Sequence, residues 1–275
     1  MPRRISERYS AAFVTGAASG LGAAFAEMLV AEGVRVWGTS RDPARLERQT
    51  GIVPVALDLS DADAAAAAFD RASREAGDGF DIVINNAGYG VFGEFAAADY
   101  ALWQAQMEAM LVATLRIAHA AWKSMGARNR GALVNVSSIA VDFPLPYMSG
   151  YNVCKAGLSA LSESLLFESR GTAVRVIDFR PGDYRTAFND NVRTAGGSSA
   201  NPPRLAAAWR ALEANFRSAP PAARAAVDLR DALLRNRCGV VRSGTFFQAR
   251  LAPFVARLAP APAIRALAAR YFKSP

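Results

Sequence analysis

Short apolar runs alternate with stretches of helical periodicity through most of the chain. Six runs have the length of buried strands and are bounded by turn residues; they cover residues 11–14, 34–40, 53–57, 80–84, 131–136 and 174–179. Helical patterns lie between them, for example up to Glu32 and from about Asp61. Strands that alternate with helices in this way predict an α/β fold, a doubly wound parallel sheet with helices on both faces.

A glycine-rich loop follows the first predicted strand. Residues 15–22 read Thr-Gly-Ala-Ala-Ser-Gly-Leu-Gly, and an apolar helix comes next. Gly16 permits a tight turn, Gly20 allows the backbone to approach a pyrophosphate, and Gly22 allows the helix to pack against the sheet. The free N–H groups and positive dipole end of that helix favour an anion. The pattern predicts a phosphate-binding unit, with an ordinary glycine-rich turn as the alternative.

Polar residues stand at the ends of three other predicted strands. Asn-Asn-Ala-Gly occupies positions 85–88, Ser137 and Ser138 follow the fifth strand, and Arg-Pro-Gly occupies positions 180–182. Open parallel sheets bind ligands in the crevice at the carboxyl ends of their strands. We therefore expect these turns and the glycine loop to converge on one site.

Tyr151 and Lys155 lie four residues apart, so a helix would place them on one face. A neighbouring ammonium favours the phenolate and is expected to lower the tyrosine pKa from about 10 towards working pH. Tyr151 thereby becomes a candidate general acid and base, and the Ser138 hydroxyl a candidate for polarising a carbonyl. The alternative is an amphipathic helix with a tyrosine at its packing edge.

Together, these motifs resemble the short-chain dehydrogenase/reductase family over roughly residues 9–188, with a weaker similarity at 237–244. The resemblance implies a Rossmann-like fold, a nicotinamide cofactor and hydride transfer at a carbonyl carbon. It implies that Ser138 steadies the substrate oxygen, that Tyr151 protonates it, and that Lys155 acidifies Tyr151 and holds the nicotinamide ribose. The cofactor residues expected on this basis are Gly16, Ser19, Gly20, Leu21, Gly22, Ser40, Arg41, Asp58, Leu59, Asn86, Ala87, Gly88, Tyr151, Lys155, Pro181, Gly182 and Thr186.

One position departs from the family pattern. Members usually carry an asparagine in the helix after the Asn-Asn-Ala-Gly strand, where this chain has Met110. In the family that amide distorts the helix and helps to hold a water that relays protons through the lysine, and a thioether cannot reproduce its donors and acceptors. Either Ser138, Tyr151 and Lys155 suffice for catalysis, or the chain is an NADP(H)-binding protein of low or no turnover.

The end of the second predicted strand bears on the choice of cofactor. It lacks the acidic residue that would bind a ribose 2′-hydroxyl, and Ser40 and Arg41 stand there instead. A hydroxyl and a guanidinium suit a 2′-phosphate, which predicts NADP(H); the alternative for Arg41 is a solvated loop charge. Asp58 and Leu59 fall where relatives contact the adenine, and Asp58 also suits a turn or a helix cap.

Composition excludes several other classes. The 275 residues are 52% hydrophobic, enough for one large α/β domain. Two cysteines do not form a disulfide framework, His119 lacks clustered partners for a metal, and no apolar run reaches the length of a bilayer span. The N-terminus does not read as a secretory signal, so a cytoplasmic location is expected. The net charge of +8 comes almost entirely from scattered arginines, without the basic, aromatic-bearing modules of nucleic-acid-binding proteins.

The remaining segments suggest how the substrate is held. We expect a single domain with its core at 9–188 and 237–248, a lid at 189–236 and a C-terminal tail at 249–275. The lid would carry Trp209, Leu212 and Phe216, and the apolar stretch 141–148 would form the opposite wall. Such a lining favours a lipophilic ketone, aldehyde or alcohol. The alternative for the lid is a surface helix without a substrate role.

The C-terminal tail mixes arginine with apolar residues and is broken by prolines, with a helix expected at 263–272. A basic amphipathic tail could contact a membrane surface, but packing on its own domain or on a neighbouring subunit is the favoured reading. A homodimer or homotetramer is expected only by analogy with the family.

Overall fold

The computed structural model describes residues 3–188, 191–194 and 202–271. Seven parallel strands form the central sheet in the order β3-β2-β1-β4-β6-β7-β9. They are β1 (Ala11–Val14), β2 (Arg35–Ser40), β3 (Ile52–Ala56), β4 (Ile82–Asn85), β6 (Gly131–Val136), β7 (Val174–Pro181) and β9 (Gly239–Ser243). Two short strands, β5 (Val91–Phe92) and β8 (Arg193–Thr194), pair separately. The six strands expected from sequence lie within two residues of their predicted bounds.

Helices cover both faces of this sheet. They are α1 (Gly20–Ala31), α2 (Ala44–Glu47), α3 (Ala62–Glu75), α4 (Tyr100–Met107), α5 (Ala113–Arg128), α6 (Ser149–Glu168), α7 (Pro203–Ser218), α8 (Ala222–Leu234), α9 (Ala252–Leu258) and α10 (Ala261–Tyr271). Helices α1 and α8 pack on one face, and α3, α5 and α6 on the other. This arrangement confirms the predicted Rossmann-like, doubly wound fold.

Helix α8 corrects the predicted extent of the lid. Its apolar side chains, Ala225, Ala226, Leu229, Ala232 and Leu233, are buried in the same core cluster as β1 and α1. Burying that face stabilises the sheet and makes α8 part of the fold core. The rest of the predicted lid stays a prediction, and its residues 189–190 and 195–201 lie outside the described part of the chain.

Two π-helical turns interrupt the helical regions, and neither was predicted. Residues Glu108–Val112 form one between α4 and α5, and Phe247–Leu251 form the other before α9. Such turns widen the backbone by one residue and occur often at functional sites. The expected C-terminal helix is present as α10, one or two residues earlier than predicted.

The order of strands reverses on either side of β1, because the chain moves outward from β1 to β3 and then returns to β4. The carboxyl ends of β1 and β4 diverge there, so a crevice opens beside the glycine loop. Among the described residues, no helix is long and apolar enough to cross a bilayer.

Candidate active site

A cavity of about 520 Å³ opens at the carboxyl edge of the sheet. Its walls come from the ends of six strands, β1, β2, β3, β4, β6 and β7, together with α6 and the C-terminal tail. Every residue predicted from sequence to bind cofactor or to catalyse lines this cavity, with the exception of Gly22. The loops at the strand ends therefore converge on one cavity, as expected from the sequence.

The glycine loop is shaped by two left-handed residues. Gly16 and Gly20 have φ values of +69° and +58°, which a side chain would strain. Gly22 lies beneath the loop, where an added Cβ would stand 2.2 Å from the Gly16 carbonyl oxygen and 2.5 Å from Asn86 Nδ2. It therefore permits close packing of the loop against β4 rather than contact with a ligand.

Two threonines that the sequence analysis did not single out hold this loop in place. Thr15 Oγ1 accepts hydrogen bonds from the backbone N–H groups of Asn86 (2.8 Å) and Ala87 (3.0 Å). Thr39 Oγ1 accepts one from Gly16 N at 3.2 Å. The loops after β1, β2 and β4 are thus tied together across the crevice. The only signal in the sequence was a hydroxyl residue at each strand end, which is too common to be specific.

Ser138, Tyr151 and Lys155 meet on one wall of the cavity. Ser138 begins a single 3₁₀ turn, and its Oγ accepts a hydrogen bond from Ala140 N at 3.0 Å. Tyr151 and Lys155 lie one turn apart near the start of α6, and the Ser138 side chain hydrogen-bonds the Tyr151 phenol. Lys155 is buried, and its Nζ donates to the carbonyl oxygen of Val136 at 2.7 Å.

The electrostatics of Tyr151 differ from the prediction. Burial raises the pKa of its phenol to about 12, and the Asp183 carboxylate and Cys154 add to the rise, against the Ser138 hydrogen bond. The expected lowering by Lys155 is wrong for this structure, because Nζ lies 5.6 Å from the ring centroid and is directed to a backbone carbonyl. Burial also lowers the pKa of Lys155 to about 8, so its ammonium group loses a proton more readily than that of an exposed lysine.

Met110 lines the cavity at the π-turn between α4 and α5. Its Sδ accepts a hydrogen bond from Tyr89 N at 3.3 Å, and its methyl end packs close to Gly88. The thioether therefore supplies one acceptor at a position where the family has an amide, and the local distortion of the helix is present without that amide. It supplies no donor.

A buried polar cluster supports the catalytic wall from behind. Asp178 is fully buried, and its carboxylate accepts hydrogen bonds from Ser137, from Ser159 at 2.8 Å and from Arg180 Nε at 2.8 Å. Arg180 also donates to Asp142 at 2.8 Å. The Ser137 hydroxyl donates to Asp178 within this cluster, so it is engaged in a structural hydrogen bond although the residue also lines the cavity.

The end of the cavity beside β2 and β3 is more polar. Ser40 and Arg41 line it, and Arg45 on α2 joins them as a second guanidinium that sequence reasoning did not name. Its position four residues after Arg41, on a short helix, is the signal that could have identified it. Asp58 lines the same region and accepts from Ser60 N at 2.9 Å, as a turn residue. Asp61, not Asp58, caps α3.

The opposite end is apolar and partly aromatic. Phe143, Leu145, Phe188 and Phe216 line it, and the Phe188 ring lies 5.8 Å from the Tyr151 ring. Trp209 and Leu212 do not face the cavity as predicted for the lid. They pack instead against Phe92 and Met148, in an apolar cluster that lies behind the cavity wall and also includes Phe188 and Phe216.

Residues of the C-terminal tail close this end of the cavity, which the sequence analysis did not predict. Gln248 Nε2 donates to Asp183 Oδ2 at 2.6 Å, and the Tyr271 hydroxyl donates to the same oxygen at 3.4 Å. Burial raises the pKa of the Asp183 carboxyl against both hydrogen bonds. These contacts join the turn after β7 to α10.

His119 and the two cysteines do not line the cavity. The described residues contain no group of three or more histidine, cysteine or acidic side chains that could hold a metal ion. His119 is exposed on α5. Both cysteines are free, Cys154 buried and Cys238 exposed.

The family model described as short chain dehydrogenase matches residues 10–196. A 3-ketodihydrosphingosine reductase from Bacteroides thetaiotaomicron is 32% identical over 178 residues, which cover 65% of this chain and 65% of that protein. A serine 3-dehydrogenase from Agrobacterium fabrum is 35% identical over 200 residues, 68% of this chain and 77% of the relative. The matched part thus spans about two thirds to three quarters of these curated relatives.

A solved structure is also similar over nearly its whole length. It is a short chain dehydrogenase from Burkholderia cenocepacia in complex with NADP, with 27% identity, a TM-score of 0.71 and coverage of 98% of both chains. Other solved structures with this fold are in complex with NAD or NADPH.

Proposed function

Because this chain belongs to the short-chain dehydrogenase/reductase family, we propose that it is an NADP(H)-dependent reductase, reversible as a dehydrogenase, for a lipophilic ketone, aldehyde or alcohol. The observation that carries the proposal is the meeting of Ser138, Tyr151 and Lys155 where the polar and apolar ends of one cavity join. A nicotinamide cofactor is supported for the family, because solved relatives contain NAD or NADP.

The residues of the cavity fit such a cofactor. Two glycines with positive φ leave the first turn of α1 open to a pyrophosphate, and an added Cβ on Gly20 would approach Thr186 at 3.4 Å. The residues proposed to hold the dinucleotide are Gly16, Ser19, Gly20, Leu21, Asn86, Ala87, Gly88, Asp58, Leu59, Pro181, Gly182 and Thr186. When bound, the nicotinamide supplies or accepts the hydride.

The proton chemistry belongs to this chain. Ser138 donates a hydrogen bond to the substrate oxygen, and Tyr151 gives that oxygen its proton in reduction. A phenol with a pKa of about 12 stays protonated at neutral pH, which suits the acid needed for reduction. Lys155, with a pKa of about 8, can exchange a proton near neutral pH and lies one helical turn from the phenol.

The preference for NADP(H) rests on the polar end of the cavity. Ser40, Arg41 and Arg45 line it where a ribose 2′-phosphate would lie, and β2 ends without a carboxylate to repel that phosphate. The relative from Burkholderia cenocepacia, in complex with NADP, is consistent with this choice.

The substrate class rests on the apolar end. Phe143, Leu145, Phe188 and Phe216 offer aliphatic and aromatic surface for a lipophilic substrate. The relative named 3-ketodihydrosphingosine reductase supports a keto substrate. The relative named serine 3-dehydrogenase supports the reverse reaction on a hydroxyl group.

A rival function is a cofactor-binding protein with little turnover. Met110 favours it, because the thioether leaves the family's proton relay without its amide donor.

A homo-oligomer and a cytoplasmic location also belong to the proposal. Val153 and Phe167 are exposed on α6 and are available to a subunit interface, and the two free cysteines fit a reducing compartment.

The test is NADPH oxidation by the purified protein against a panel of lipophilic ketones and aldehydes, compared with NADH. We expect wild type to prefer NADPH. Replacing Arg41 and Arg45 together with alanine should lower kcat/KM for NADPH by about tenfold or more and leave that for NADH nearly unchanged. Arg48→Ala is the matched control, since Arg48 is exposed but does not line the cavity. A higher kcat/KM of wild type with NADH than with NADPH would contradict the proposed cofactor.

A further inference from the structure

The C-terminal segment 246–271 carries an unusual amount of exposed apolar surface. Fifteen large apolar side chains are exposed in the described part of the chain, and eight of them fall within these 26 positions. They are Phe246, Phe247, Leu251, Phe254, Val255, Leu258, Leu267 and Tyr271. Single exposed apolar residues are common, but a concentration of this kind marks an interaction surface.

The spacing of these residues places most of them on one side of the segment. Leu251, at the end of the π-turn, and Phe254, Val255 and Leu258 in α9 stand at i, i+3, i+4 and i+7, which places them on one side of this helical segment. That face is exposed, and Phe254 and Leu258 are 62% and 73% accessible. The buried positions Gln248 and Ala252 lie on the other side, towards the protein. The apolar face of this helix is therefore turned outward, the reverse of an ordinary surface helix.

The charge of the segment is of one sign. Residues 244–275 contain four arginines and one lysine and no aspartate or glutamate. Arg250, Arg265 and Arg270 are exposed beside the apolar residues. A basic amphipathic surface of this composition is complementary to an anionic lipid headgroup layer, into which the apolar side chains can insert.

The same charge argues against a second copy of this chain as the occupant. A two-fold interface sets a patch against itself, so each arginine would meet an equally basic surface with no carboxylate to pair with. Desolvating such like charges is unfavourable. A lipid surface carries the opposite charge and needs no shape match.

The exposed face also continues into the cavity. Phe247, Leu267 and Tyr271 belong to the exposed set and also line the apolar end of the cavity. The rings of Phe247 and Tyr271 stack with centroids 6.5 Å apart, which joins α10 to the turn before α9. A partner bound to this exposed face would therefore lie next to the opening of the cavity.

We propose that residues 246–271 form a peripheral docking surface for an anionic lipid membrane, with the mouth of the cavity turned towards the bilayer. The contact is interfacial: Phe246, Phe254 and Leu258 insert among the headgroups, and Arg250, Arg265 and Arg270 bind the lipid phosphates. A lipophilic substrate dissolved in the membrane would then reach the apolar end of the cavity without crossing water.

The test is co-sedimentation of the full-length protein with vesicles of equal parts phosphatidylcholine and phosphatidylglycerol, and with vesicles of phosphatidylcholine alone. Wild type should bind the anionic vesicles and lose that binding as salt is raised. The triple variant Phe246→Ser, Phe254→Ser and Leu258→Ser should bind at least about tenfold more weakly. Phe167→Ser, which removes an equally exposed ring on α6, should bind like wild type.

None of the three substituted residues lines the cavity, so turnover of a water-soluble ketone should stay unchanged in the triple variant. That assay separates this inference from the proposed reductase activity, because either can fail while the other holds. The inference is overturned if wild type does not bind anionic vesicles, or if the triple variant binds as well as wild type. If wild type binds no vesicles, the oligomeric state of the triple variant identifies the occupant of this face. A smaller oligomer than that of wild type on sizing would mean that the face contacts a second copy.

Discussion

The Tyr151 side chain is half-buried in the cavity wall, and desolvation there raises the pKa of its phenol without a compensating effect of the neighbouring ammonium. Its pKa rises to about 12, and the Asp183 carboxylate contributes to that rise from the turn after β7. The sequence indicated that Tyr151 and Lys155 share a helical face, which the structure has. It could not indicate burial or the direction of Lys155 Nζ, because both depend on strands that are distant in sequence.

Replacing Asp183 with asparagine should lower the pKa of Tyr151, because it removes a negative charge that disfavours the phenolate. Oxidation of an alcohol needs the phenolate as base, so its rate rises with pH through the Tyr151 pKa. The alkaline rise should therefore move to lower pH in Asp183→Asn, measured as kcat against pH with saturating cofactor. Asp58→Asn, which neutralises an acid at the far end of the same cavity, is the control. An unshifted rise would mean that Asp183 does not act on the phenol.

The replacement Met110→Asn should hold or raise turnover. An amide oxygen can accept the Tyr89 N–H that Met110 Sδ now accepts, and its NH₂ group adds a donor for a proton-relaying water. The measurement is kcat for the best ketone of the panel, with Met107→Asn, outside the cavity, as the control. A large loss in Met110→Asn alone would show that the thioether belongs to a differently built site.

At the scale of elements, one buried cluster fastens four parts of the fold behind the catalytic wall. Asp178 and Arg180 come from β7, Ser159 from α6, and Asp142 from the turn after Ser138. Arg242 on β9 also donates to Asp142 at 3.0 Å. The cluster therefore positions the Ser138 turn against the helix that carries Tyr151.

Removing one charged member of this cluster should destabilise the fold strongly, because the charge of its ion-pair partner stays buried. We expect Asp178→Ala to lower the free energy of unfolding by about 3–5 kcal/mol, measured by urea denaturation. Asp63→Ala is the matched control: Asp63 pairs with Arg116 at the surface, and its loss should cost about 1 kcal/mol or less. Equal effects of the two substitutions would contradict the role assigned to the buried cluster.

The sequence predicted the elements well where a whole strand is buried, as in β1 and β6, and where one face of a helix is buried, as in α1. It failed where tertiary contacts decide. Helix α8 lies within the stretch predicted as a lid, yet its alanines and leucines pack with α1 in the main core. The π-turn at Glu108–Val112 was not predicted either, because its residues continue a helical pattern without a glycine or proline.

At the scale of the whole molecule, the cavity joins residues that are far apart in the chain. The motifs at strand ends could be combined in advance, because parallel strands bring their carboxyl ends to one edge. The contact of Gln248 with Asp183 could not be anticipated from the sequence, because it links positions 65 residues apart and neither belongs to a recognisable motif of the C-terminal segment. The substrate end of the site was therefore the least predictable part.

The central claim is that Tyr151 transfers a proton in a working reductase. The most direct test compares Tyr151→Phe with Tyr89→Phe, which removes a hydroxyl from another tyrosine of the same cavity. We predict that Tyr151→Phe lowers kcat for NADPH-dependent reduction by about 10²–10⁴-fold and leaves NADPH binding, followed by nicotinamide fluorescence, within about threefold of wild type. Tyr89→Phe should retain most of the activity. Turnover that survives in Tyr151→Phe, or wild-type protein that binds NADPH and reduces no carbonyl of the panel, would contradict the account.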